Sequence, residues 1–579
     1  MDEAPTAFHQ RLAIALDLAQ SEPREAVSML NELVRQYPAQ LSVRCALVRA
    51  LLSLGDIEAA LAAATHPTLL DSGDVFATVL SEFAIVGASP ARAMLLEAFV
   101  RRHPHDFAAV IALAASLHAL DRPSAALRWS DYALVLRPGE YAPREIRAAS
   151  LIDRGDIEMG LAAYRALLSG GDAQTAARYL VLMHYDTALE NASLFAAQVD
   201  FARRHLPVSA PPLAERSRDP DKVLRVGWLS PRLSKGPVAT FLGGMLAYFD
   251  RNRFWHLLID LAPTDDADAR HLRTLVAETL DASSLDDAQL LQQLRDLDLD
   301  VLVDLAGHST ANRVAVVAQR VAPVQVCWLD WFDTTGVGAM DAWISDEWLT
   351  PADSTQQFSE CVVQLPCGRF CYTPPIDSPL PSRQGDGSLV FASFNRLAKF
   401  NPKVIETWSD ILRRLPEACL QLHARPLEEA ETRAHIAARF AARGIDGTRL
   451  HLAGALPYDQ LLAAYRNVDI ALDPFPFSGC TTTCDALWMG CPVVTLPGES
   501  YVSRQSASLL WRLGRSEWIA HDHDDYVERT MALAAQVKSL RDQRAYLRAL
   551  VRTRLCDAPA QARDFAAALR ELWRRRCDN

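Results

Sequence analysis

The stretch F-S-G-C-T-T-T-C-D-A-L-W-M-G, from Phe477 to Gly490, brings three consecutive hydroxyls and a carboxylate together after a short apolar run. Ser478 and Gly479 are typical of a turn, and the three threonines are typical of the first turn of a helix. A helix start presents unpaired backbone N–H groups and a partial positive charge, to which threonine hydroxyls add further donors. The stretch therefore predicts a binding site for an anion, most naturally a diphosphate.

Asp485 follows Thr481 by one helical turn and so lies on the same helix face. A carboxylate there repels phosphate but can accept two hydrogen bonds from the vicinal hydroxyls of a ribose. Cys480 and Cys484 are also four residues apart, but no third or fourth ligand of a suitable type lies nearby in the sequence. We therefore predict a nucleotide site without a metal.

A second stretch, F-N-R-L-A-K-F-N-P from Phe394 to Pro402, carries a lysine in a loop that follows a predicted strand and precedes a predicted helix. Lys399 in that loop can act as a point charge on a phosphate. A positioned ammonium and a helix start together can stabilise the negative charge of a leaving diphosphate without a divalent metal.

Short apolar runs alternate with helical stretches through most of the second half of the chain, which predicts parallel sheets covered by helices. The first series of predicted strands begins at Val223, Phe254, Asp300 and Val324. A proline-rich break at 372–387 separates it from a second series, which begins at Ser388, Cys419, Arg449, Asp469 and Pro492. Two such lobes in tandem place a ligand between the carboxyl edges of their sheets. Glycosyltransferases of the GT-B architecture have this outline, as do some dehydrogenases and binding proteins.

The first 200 residues repeat with a period of 33 or 34, as the spacing of five small residues shows. These residues are Ala26, Ala60, Ala93, Ala126 and Gly160. The period predicts stacked pairs of helices and resembles the tetratricopeptide (TPR) family. Such stacks usually bind a protein or peptide in a groove, although this one can equally brace the second half of the chain or form a dimer. We predict a helical repeat domain at 1–205, a linker at 206–222, a first lobe at 223–382 and a second lobe at 383–579.

Composition excludes several classes of function. The net charge of -12 and the lack of a long Lys/Arg run disfavour a nucleic-acid partner. No run of about twenty apolar residues is present to span a bilayer, and the acidic start does not resemble a secretory signal. The 11 cysteines are an odd number and suit free thiols in a reducing compartment, so we predict a cytoplasmic protein.

Seven motifs, in this order, resemble those of the O-GlcNAc transferase family, which includes plant SPINDLY-like and bacterial members. They are R-V-G-W-L-S at Arg225, D-L-A-G-H-S at Asp304, A-P-V-Q-V-C-W-L at Ala322, D-T-T-G at Asp333, F-N-R-L-A-K at Phe394, T-T-T-C-D-A-L-W-M-G at Thr481 and P-G-E-S-Y-V-S-R at Pro497. The resemblance implies a TPR-like helical superhelix followed by a two-lobe GT-B domain. It also implies an inverting, metal-independent transfer of a sugar from a nucleotide to a Ser or Thr hydroxyl.

Site residues follow from the resemblance by motif position. Lys399 would bind the diphosphate, Thr481 and Thr482 would hold phosphate oxygens, and Asp485 would bind the ribose. Thr483 completes the set of hydroxyls at the helix start. The resemblance further implies that Arg396 contacts the uracil or a phosphate and that His308 faces the cleft near the acceptor.

Two departures from the family pattern concern the catalytic base. Relatives usually read H-P-V-A or H-P-T where this chain has Gly236-Pro237-Val238-Ala239, so a cleft histidine is missing. Relatives read G-Y-P-G-T-T-G where this chain has D-W-F-D-T-T-G, which adds the carboxylates Asp330 and Asp333. Either carboxylate can serve as general base if it reaches the acceptor hydroxyl. The same departures also fit a changed donor or an inactive site.

These observations predict a protein O-glycosyltransferase that uses a UDP-sugar, nominally UDP-GlcNAc, needs no metal, and binds its protein acceptor through the TPR groove. Flagellin-modifying TPR glycosyltransferases, some of which use nonulosonic acids carried on CMP, are the first alternative. A TPR scaffold that has lost catalysis is the second. The sequence does not identify the acceptor, the sugar or the oligomeric state.

Overall fold

A computed structural model describes residues 3–207, 213, 217–384 and 387–578. The chain forms two compact units. The first contains residues up to Arg154 and the short segment Glu428–Thr432, and the second contains the remainder. Among the described residues, no helix is long and apolar enough to cross a membrane.

The first unit consists of helices that pack in consecutive pairs. The small residues of the repeat lie in the contacts between helices, with Ala26, Ala60 and Ala126 fully buried and Ala93 3% exposed. Asp56 caps one of these helices by accepting a hydrogen bond from a backbone N–H of the first turn. The helices are α1 (Glu3–Ser21), α2 (Pro23–Gln36), α3 (Leu41–Ser53), α4 (Ile57–Ala64), α5 (Pro67–Leu70), α6 (Gly73–Ile85), α7 (Ser89–Arg102), α8 (Phe107–Ala119), α9 (Pro123–Leu136) and α10 (Tyr141–Arg154).

The second unit begins with three more helices, which are α11 (Ile157–Leu167), α12 (Ala173–Met183) and α13 (Asn191–His205). Gly160, the last small residue of the repeat, is buried in α11. Residues 208–212 and 214–216, which belong to the predicted linker, lie outside the described residues.

The first lobe is built on a seven-stranded parallel sheet with the strand order β3-β2-β1-β4-β5-β6-β7. Its central strands are almost completely buried because helices cover both faces. The strands are β1 (Leu224–Ser230), β2 (Phe254–Asp260), β3 (Glu278–Asp281), β4 (Val301–Asp304), β5 (Val324–Cys327), β6 (Ala342–Ser345) and β7 (Cys361–Gln364). The helices between them are α14 (Pro237–Leu246), α15 (Ala267–Thr274), α16 (Asp287–Asp296) and α17 (Val314–Val317).

The second lobe is built on a five-stranded parallel sheet with the order β10-β9-β8-β11-β12. Its strands are β8 (Val390–Ser393), β9 (Cys419–His423), β10 (Leu450–Ala453), β11 (Ile470–Leu472) and β12 (Val493–Val494). The helices that follow β8 in the chain are α18 (Pro402–Arg414), α19 (Ala430–Ala441), α20 (Tyr458–Ala464), α21 (Thr481–Trp488), α22 (Tyr501–Leu513), α23 (His523–Ala535), α24 (Val537–Asp542), α25 (Arg544–Arg554) and α26 (Ala558–Asp578). The predicted fold class, helical repeats followed by two parallel-sheet lobes, is confirmed.

The last helix, α26, returns to the first lobe and packs against α14 and β5. Phe565 of α26 lies with its ring centroid 4.7 Å from that of Trp328 and 5.6 Å from that of Trp228. The domain prediction assigned this helix to the second lobe by its place in the chain. Its packing instead links the end of the chain to the first sheet.

Candidate active site

A cavity of about 350 Å³ lies between the two lobes. The segments that line the cavity follow β1, β4 and β5 in the first lobe and β8 and β11 in the second. The cavity therefore lies at the carboxyl ends of these strands. Its lining residues are Val181, Tyr185, Arg232, Pro237, Val238, Phe241, Ser309, Thr310, Leu329, Asp330, Trp331, Phe332, Phe370, Phe394, Asn395, Arg396, Lys399, Phe477, Ser478, Cys480, Thr481, Thr482 and Gln505. We call this space the site cavity.

The turn that leads into α21 is held by a buried carboxylate. Asp473, directly after β11, accepts hydrogen bonds from the Gly479 backbone N–H at 2.6 Å and from the Thr495 hydroxyl at 2.7 Å. A Cβ at Gly479 would lie 2.5 Å from the Thr483 hydroxyl oxygen, so only glycine fits there. Helix α21 then begins at Thr481, and its N-cap residue Cys480 provides no side-chain acceptor. The first-turn amides are therefore not capped by their own N-cap side chain.

The three threonines at the start of α21 have two different roles. Thr481 and Thr482 line the site cavity, and the Thr482 hydroxyl also donates to Asn395 Oδ1 at 3.2 Å. Thr483 does not line the cavity, because its buried hydroxyl pairs with that of Ser506 at 2.7 Å. Two of the three predicted hydroxyls thus face the cavity, and the third packs the helix against α22.

Lys399 reaches the site cavity from the turn after β8, as predicted. Its ammonium Nζ donates to the Ser478 carbonyl at 2.7 Å and to Asn395 Oδ1 at 3.1 Å, and it lies 4.7 Å from the centre of the Phe477 ring. Burial lowers the pKa of Lys399 to about 8, against the opposing effect of the Asp473 carboxylate. The ammonium is therefore fixed beside the start of α21 with part of its hydration removed.

Arg396 also lines the site cavity and is exposed. Its guanidinium acts through space on Lys399 and on Asp330, lowering the pKa of each. Arg232, which the sequence analysis missed, is a third cation in the lining. Three cations against the single carboxylate Asp330 give the site cavity a net positive lining, which suits an anionic ligand.

Asp485 is buried below the site cavity and does not line it. Its Oδ1 accepts hydrogen bonds from the hydroxyls of Tyr372 and Tyr458, each at 2.8 Å. Burial raises the pKa of Asp485 to about 6, while the two hydroxyls act in the opposite direction. The two tyrosines, which come from distant parts of the chain, occupy one oxygen of the carboxylate predicted to bind a ribose.

Asp330 faces the site cavity from the first lobe and is paired with Arg232, with Oδ2 2.7 Å from Nη1. Burial raises the pKa of Asp330, although the guanidiniums of Arg232 and Arg396 oppose that rise. Arg232 lies two residues beyond the end of β1, and no motif pointed to it. A ligand in the site cavity would therefore meet an ion pair on the side of the first lobe.

Asp333 and His308, both predicted catalytic residues, are buried and do not line the site cavity. Asp333 accepts hydrogen bonds from Gln356 Nε2 and from the Thr334 backbone N–H, each at 2.8 Å, and burial raises its pKa to about 7. The His308 imidazole pairs through Nε2 with the Thr335 carbonyl at 2.7 Å, and burial lowers its pKa to about 4. Their geometry fits a role in holding the loop behind the cavity.

Glu360 anchors the D-T-T-G loop, and the sequence analysis missed it. Its carboxylate accepts from the Thr334 hydroxyl at 2.6 Å, from the Thr335 backbone N–H at 2.7 Å, from the Thr335 hydroxyl, and from the Ser359 hydroxyl at 3.1 Å. Glu360 is 6% exposed. Because it precedes an exposed edge strand and belongs to no motif, nothing in the sequence indicates this role.

Gly236 lies at the start of α14 with a φ of 151°, a conformation that favours glycine. A Cβ built there would meet no atom within 4 Å. A larger residue at this position would therefore be disfavoured by the backbone conformation and not by a steric clash. The next two residues, Pro237 and Val238, line the site cavity.

The model of glycosyl transferase family 41 matches residues 205–372 and 379–563. A probable UDP-N-acetylglucosamine–peptide N-acetylglucosaminyltransferase SPINDLY of Petunia hybrida is 32% identical over 63% of this chain and 40% of its own length. The corresponding protein of Arabidopsis thaliana is 30% identical over 69% of this chain and 45% of its own. This chain therefore spans less than half the length of these two relatives.

An O-GlcNAc transferase mutant of Thermobaculum terrenum is a solved structure similar to this chain. It superposes with a TM-score of 0.80 and 31% identity, covering 89% of this chain and 98% of that protein. The similarity therefore includes the helical repeats as well as the two lobes. With the family model matched across both lobes, the chain belongs to glycosyl transferase family 41, a family of glycosyltransferases.

Proposed function

We propose that this protein transfers a sugar from a nucleoside diphosphate donor, nominally UDP-N-acetylglucosamine, to a Ser or Thr hydroxyl of a protein acceptor. The observation that carries the proposal is the grouping of Lys399, Thr481 and Thr482 on one wall of the site cavity. The names of the plant relatives, which specify UDP-N-acetylglucosamine and a peptide, support the choice of donor and acceptor.

The proposed reaction is a single displacement with inversion. The acceptor oxygen bonds to the anomeric carbon from the face opposite the diphosphate, the bond from that carbon to the diphosphate oxygen breaks, and the acceptor proton passes to a base. The departing diphosphate gains negative charge beside the Lys399 ammonium and the start of α21. Because these groups are already in place, they stabilise that charge without reorganisation, and the proposed mechanism uses no divalent metal.

Asp330 is the proposed base, since it is the only one of the two predicted carboxylates that lines the site cavity. Its pairing with Arg232 weakens it as a base, because a neighbouring cation stabilises the carboxylate. A bound diphosphate offers Arg232 a second anionic partner, so donor binding loosens the pair and restores basicity to Asp330.

The Arg232–Asp330 pair also favours a neutral sugar on the donor. A sugar carboxylate, such as that of a nonulosonic acid, would bring a second carboxylate next to Asp330 in the site cavity, where the two like charges repel each other. We therefore favour the UDP-linked neutral sugar over the CMP-linked acidic sugar. Asp485 binds the ribose in this proposal, which requires the half-buried Tyr458 to share or release its hydrogen bond.

Thermal unfolding with UDP, UDP-N-acetylglucosamine and CMP tests the donor. UDP at a hundredfold excess over its Kd is expected to stabilise the protein by about 2.7 kcal/mol. The variants Lys399→Ala and Asp485→Ala should lose this stabilisation. A preference for CMP would indicate the acidic-sugar alternative, and no response to any nucleotide would indicate a scaffold without a donor site.

For the base, we expect Asp330→Asn to lower kcat about 100-fold, because general base catalysis typically contributes at least that much. Asp333→Asn should leave kcat within threefold, since this side chain does not reach the site cavity. Transfer to a protein acceptor under single-turnover conditions measures both. Full activity of Asp330→Asn would exclude it as the base.

Transfer is also expected to depend on pH through Lys399. Its pKa of about 8 means that the charged form is complete well below pH 8 and is lost as the pH rises through that value. We expect kcat/KM to fall about tenfold per unit above pH 8, because the free enzyme then lacks the cation. Lys399→Arg, whose guanidinium stays charged, is the control and should show no such fall. A wild-type profile that is flat to pH 9.5 would contradict this role.

A further inference from the structure

A second cavity, of about 610 Å³, lies beside the site cavity. Tyr185 and Phe477 stack with their ring centroids 4.9 Å apart and line the site cavity. Their chain neighbours His184 and Pro476 line the second cavity. The two cavities therefore share these two segments, which form part of the wall between them. If a polypeptide places a hydroxyl in the site cavity, residues a few positions away along it can reach the second cavity.

The second cavity is assembled from three parts of the second unit. Asn191, the first residue of α13, donates through Nδ2 to the Thr355 hydroxyl oxygen at 2.8 Å and to the Glu499 carbonyl at 3.2 Å. These contacts tie the helical repeats to a loop of each lobe. The full lining is Met183, His184, Asp186, Thr187, Leu189, Glu190, Asn191, Ala192, Leu194, Thr355, Gln357, Pro476, Gly498, Glu499, Ser500 and Ser503.

The lining of the second cavity is acidic. Asp186, Glu190 and Glu499 contribute three carboxylates, and the described residues that line it include no lysine or arginine. Arg165 approaches Asp186 from outside the lining, with 3.7 Å between Nη2 and Oδ2. The starts of α13 and α22 also meet the cavity, but each contributes only about half a positive charge. The carboxylates outweigh them, so the cavity favours a cation.

His184 and Asp333 form a buried polar pair behind the wall of the second cavity. His184 is 3% exposed, and within the described part of the chain neither of its ring nitrogens has a hydrogen-bond partner. The nearest carboxylate oxygen, Asp333 Oδ2, lies 3.4 Å from Nε2 and likewise accepts no hydrogen bond there. Both side chains are shielded from the cavity, with exposed fractions of 0% and 1%, so a ligand in the cavity meets the charge of the lining and not this pair.

We propose that the second cavity binds a cationic stretch of the acceptor polypeptide, with lysine or arginine side chains near the Ser or Thr that receives the sugar. That the ligand is an acceptor rests on the proposed function. That it is cationic rests on the acidic lining of the cavity. The long stems of these side chains can pack on the apolar part of the lining while their charged ends meet Glu190 and Glu499. The cavity would thus select among acceptors by the residues that flank the hydroxyl.

Two synthetic peptides of fifteen residues test the proposal. Both carry one central serine, and they differ only in three flanking lysines, which are glutamines in the second peptide. Fluorescence anisotropy without any donor measures binding, and sugar incorporation is measured separately. We expect the lysine peptide to bind at least tenfold more tightly at low salt, and the difference to shrink in 0.5 M NaCl because salt screens exposed charges.

Variants locate the binding surface. Glu190→Gln and Glu499→Gln are each expected to weaken the lysine peptide about threefold, the effect of an exposed ion pair, and to leave the glutamine peptide unchanged. Glu417→Gln is the matched control, because Glu417 is equally exposed and lines neither cavity. Both variants and the control retain the residues of the site cavity.

The outcomes separate this proposal from the proposed function. Equal binding of the two peptides, or a lysine preference that neither variant reduces, would overturn the second cavity as a cationic subsite even if both peptides receive sugar. Charge-dependent binding that each of the two variants weakens, and that Glu417→Gln does not, would support the subsite. If no sugar is then incorporated, the failure lies with the proposed transfer and not with the subsite.

Discussion

Lys399→Ala is expected to lower kcat by a factor of about 1,000, because removal of one preorganised group that stabilises developing charge typically costs 100- to 1,000-fold. The ammonium is held by the Ser478 carbonyl and Asn395 Oδ1, so it is already aimed at the space beside Thr481 and Thr482. No other lysine lines the site cavity among the described residues. The loss is measured as single-turnover transfer from UDP-N-acetylglucosamine.

The control for this variant is Lys403→Ala, four residues further along the chain. Lys403 is exposed on α18, where its ammonium pairs with Glu406 at 3.2 Å, and it does not line the site cavity. We expect full activity from it. Urea unfolding of Lys399→Ala separates a loss of catalysis from a loss of fold, because the buried Asp473 carboxylate loses a nearby cation in this variant. Activity of Lys399→Ala within tenfold of the wild type would contradict the proposed role.

Glu360→Ala is expected to lower the free energy of unfolding by about 3 kcal/mol, because it leaves buried hydroxyl and amide donors of the D-T-T-G loop without an acceptor. The loop carries Trp331 and Phe332, which line the site cavity, so transfer should fall as well. Urea unfolding followed by the fluorescence of the 12 tryptophans measures the first effect.

Two further variants sharpen this test. Glu347→Ala removes an exposed carboxylate of the same lobe and should not change the unfolding midpoint. Glu360→Gln keeps one oxygen acceptor in nearly the same volume, so its effect should be intermediate. If Glu360→Ala unfolds at the wild-type urea concentration, the hydrogen bonds to Glu360 do not hold the loop.

The two lobes and the repeats could be predicted from sequence because their signals are local. Apolar runs of four to seven residues predicted the buried strands, such as β1 and β5, and the period of small residues predicted the helical pairs. The edge strands β3 and β7 were not predicted, because their exposed residues carry no apolar run. Strand β6 was also missed, although it is buried.

The helix start at Thr481 and the position of Lys399 were likewise fixed by local features. These features can be recognised from the neighbouring residues alone: a turn residue, threonines typical of a first helical turn, and a lysine soon after a strand. The stretches that contain Thr481 and Lys399 both line the site cavity. Helical spacing predicted Asp485 on the face of Thr481, but Asp485 is buried and does not line the site cavity. The spacing did not indicate that Tyr372 and Tyr458 bind that carboxylate, because both come from distant segments.

Tertiary structure alone decided which acidic and basic residues face the cavity. Asp330 and Asp333 are three residues apart in one loop, yet one meets Arg232 in the site cavity and the other is buried against Gln356. The sequence determined that this protein folds into two parallel-sheet lobes with a helix start and a lysine that line the site cavity. The buried Trp331 and the hydrogen bonds to Glu360 determine which way Asp330 and Asp333 point. A loop has no periodic structure of its own, so contacts with distant segments set its path.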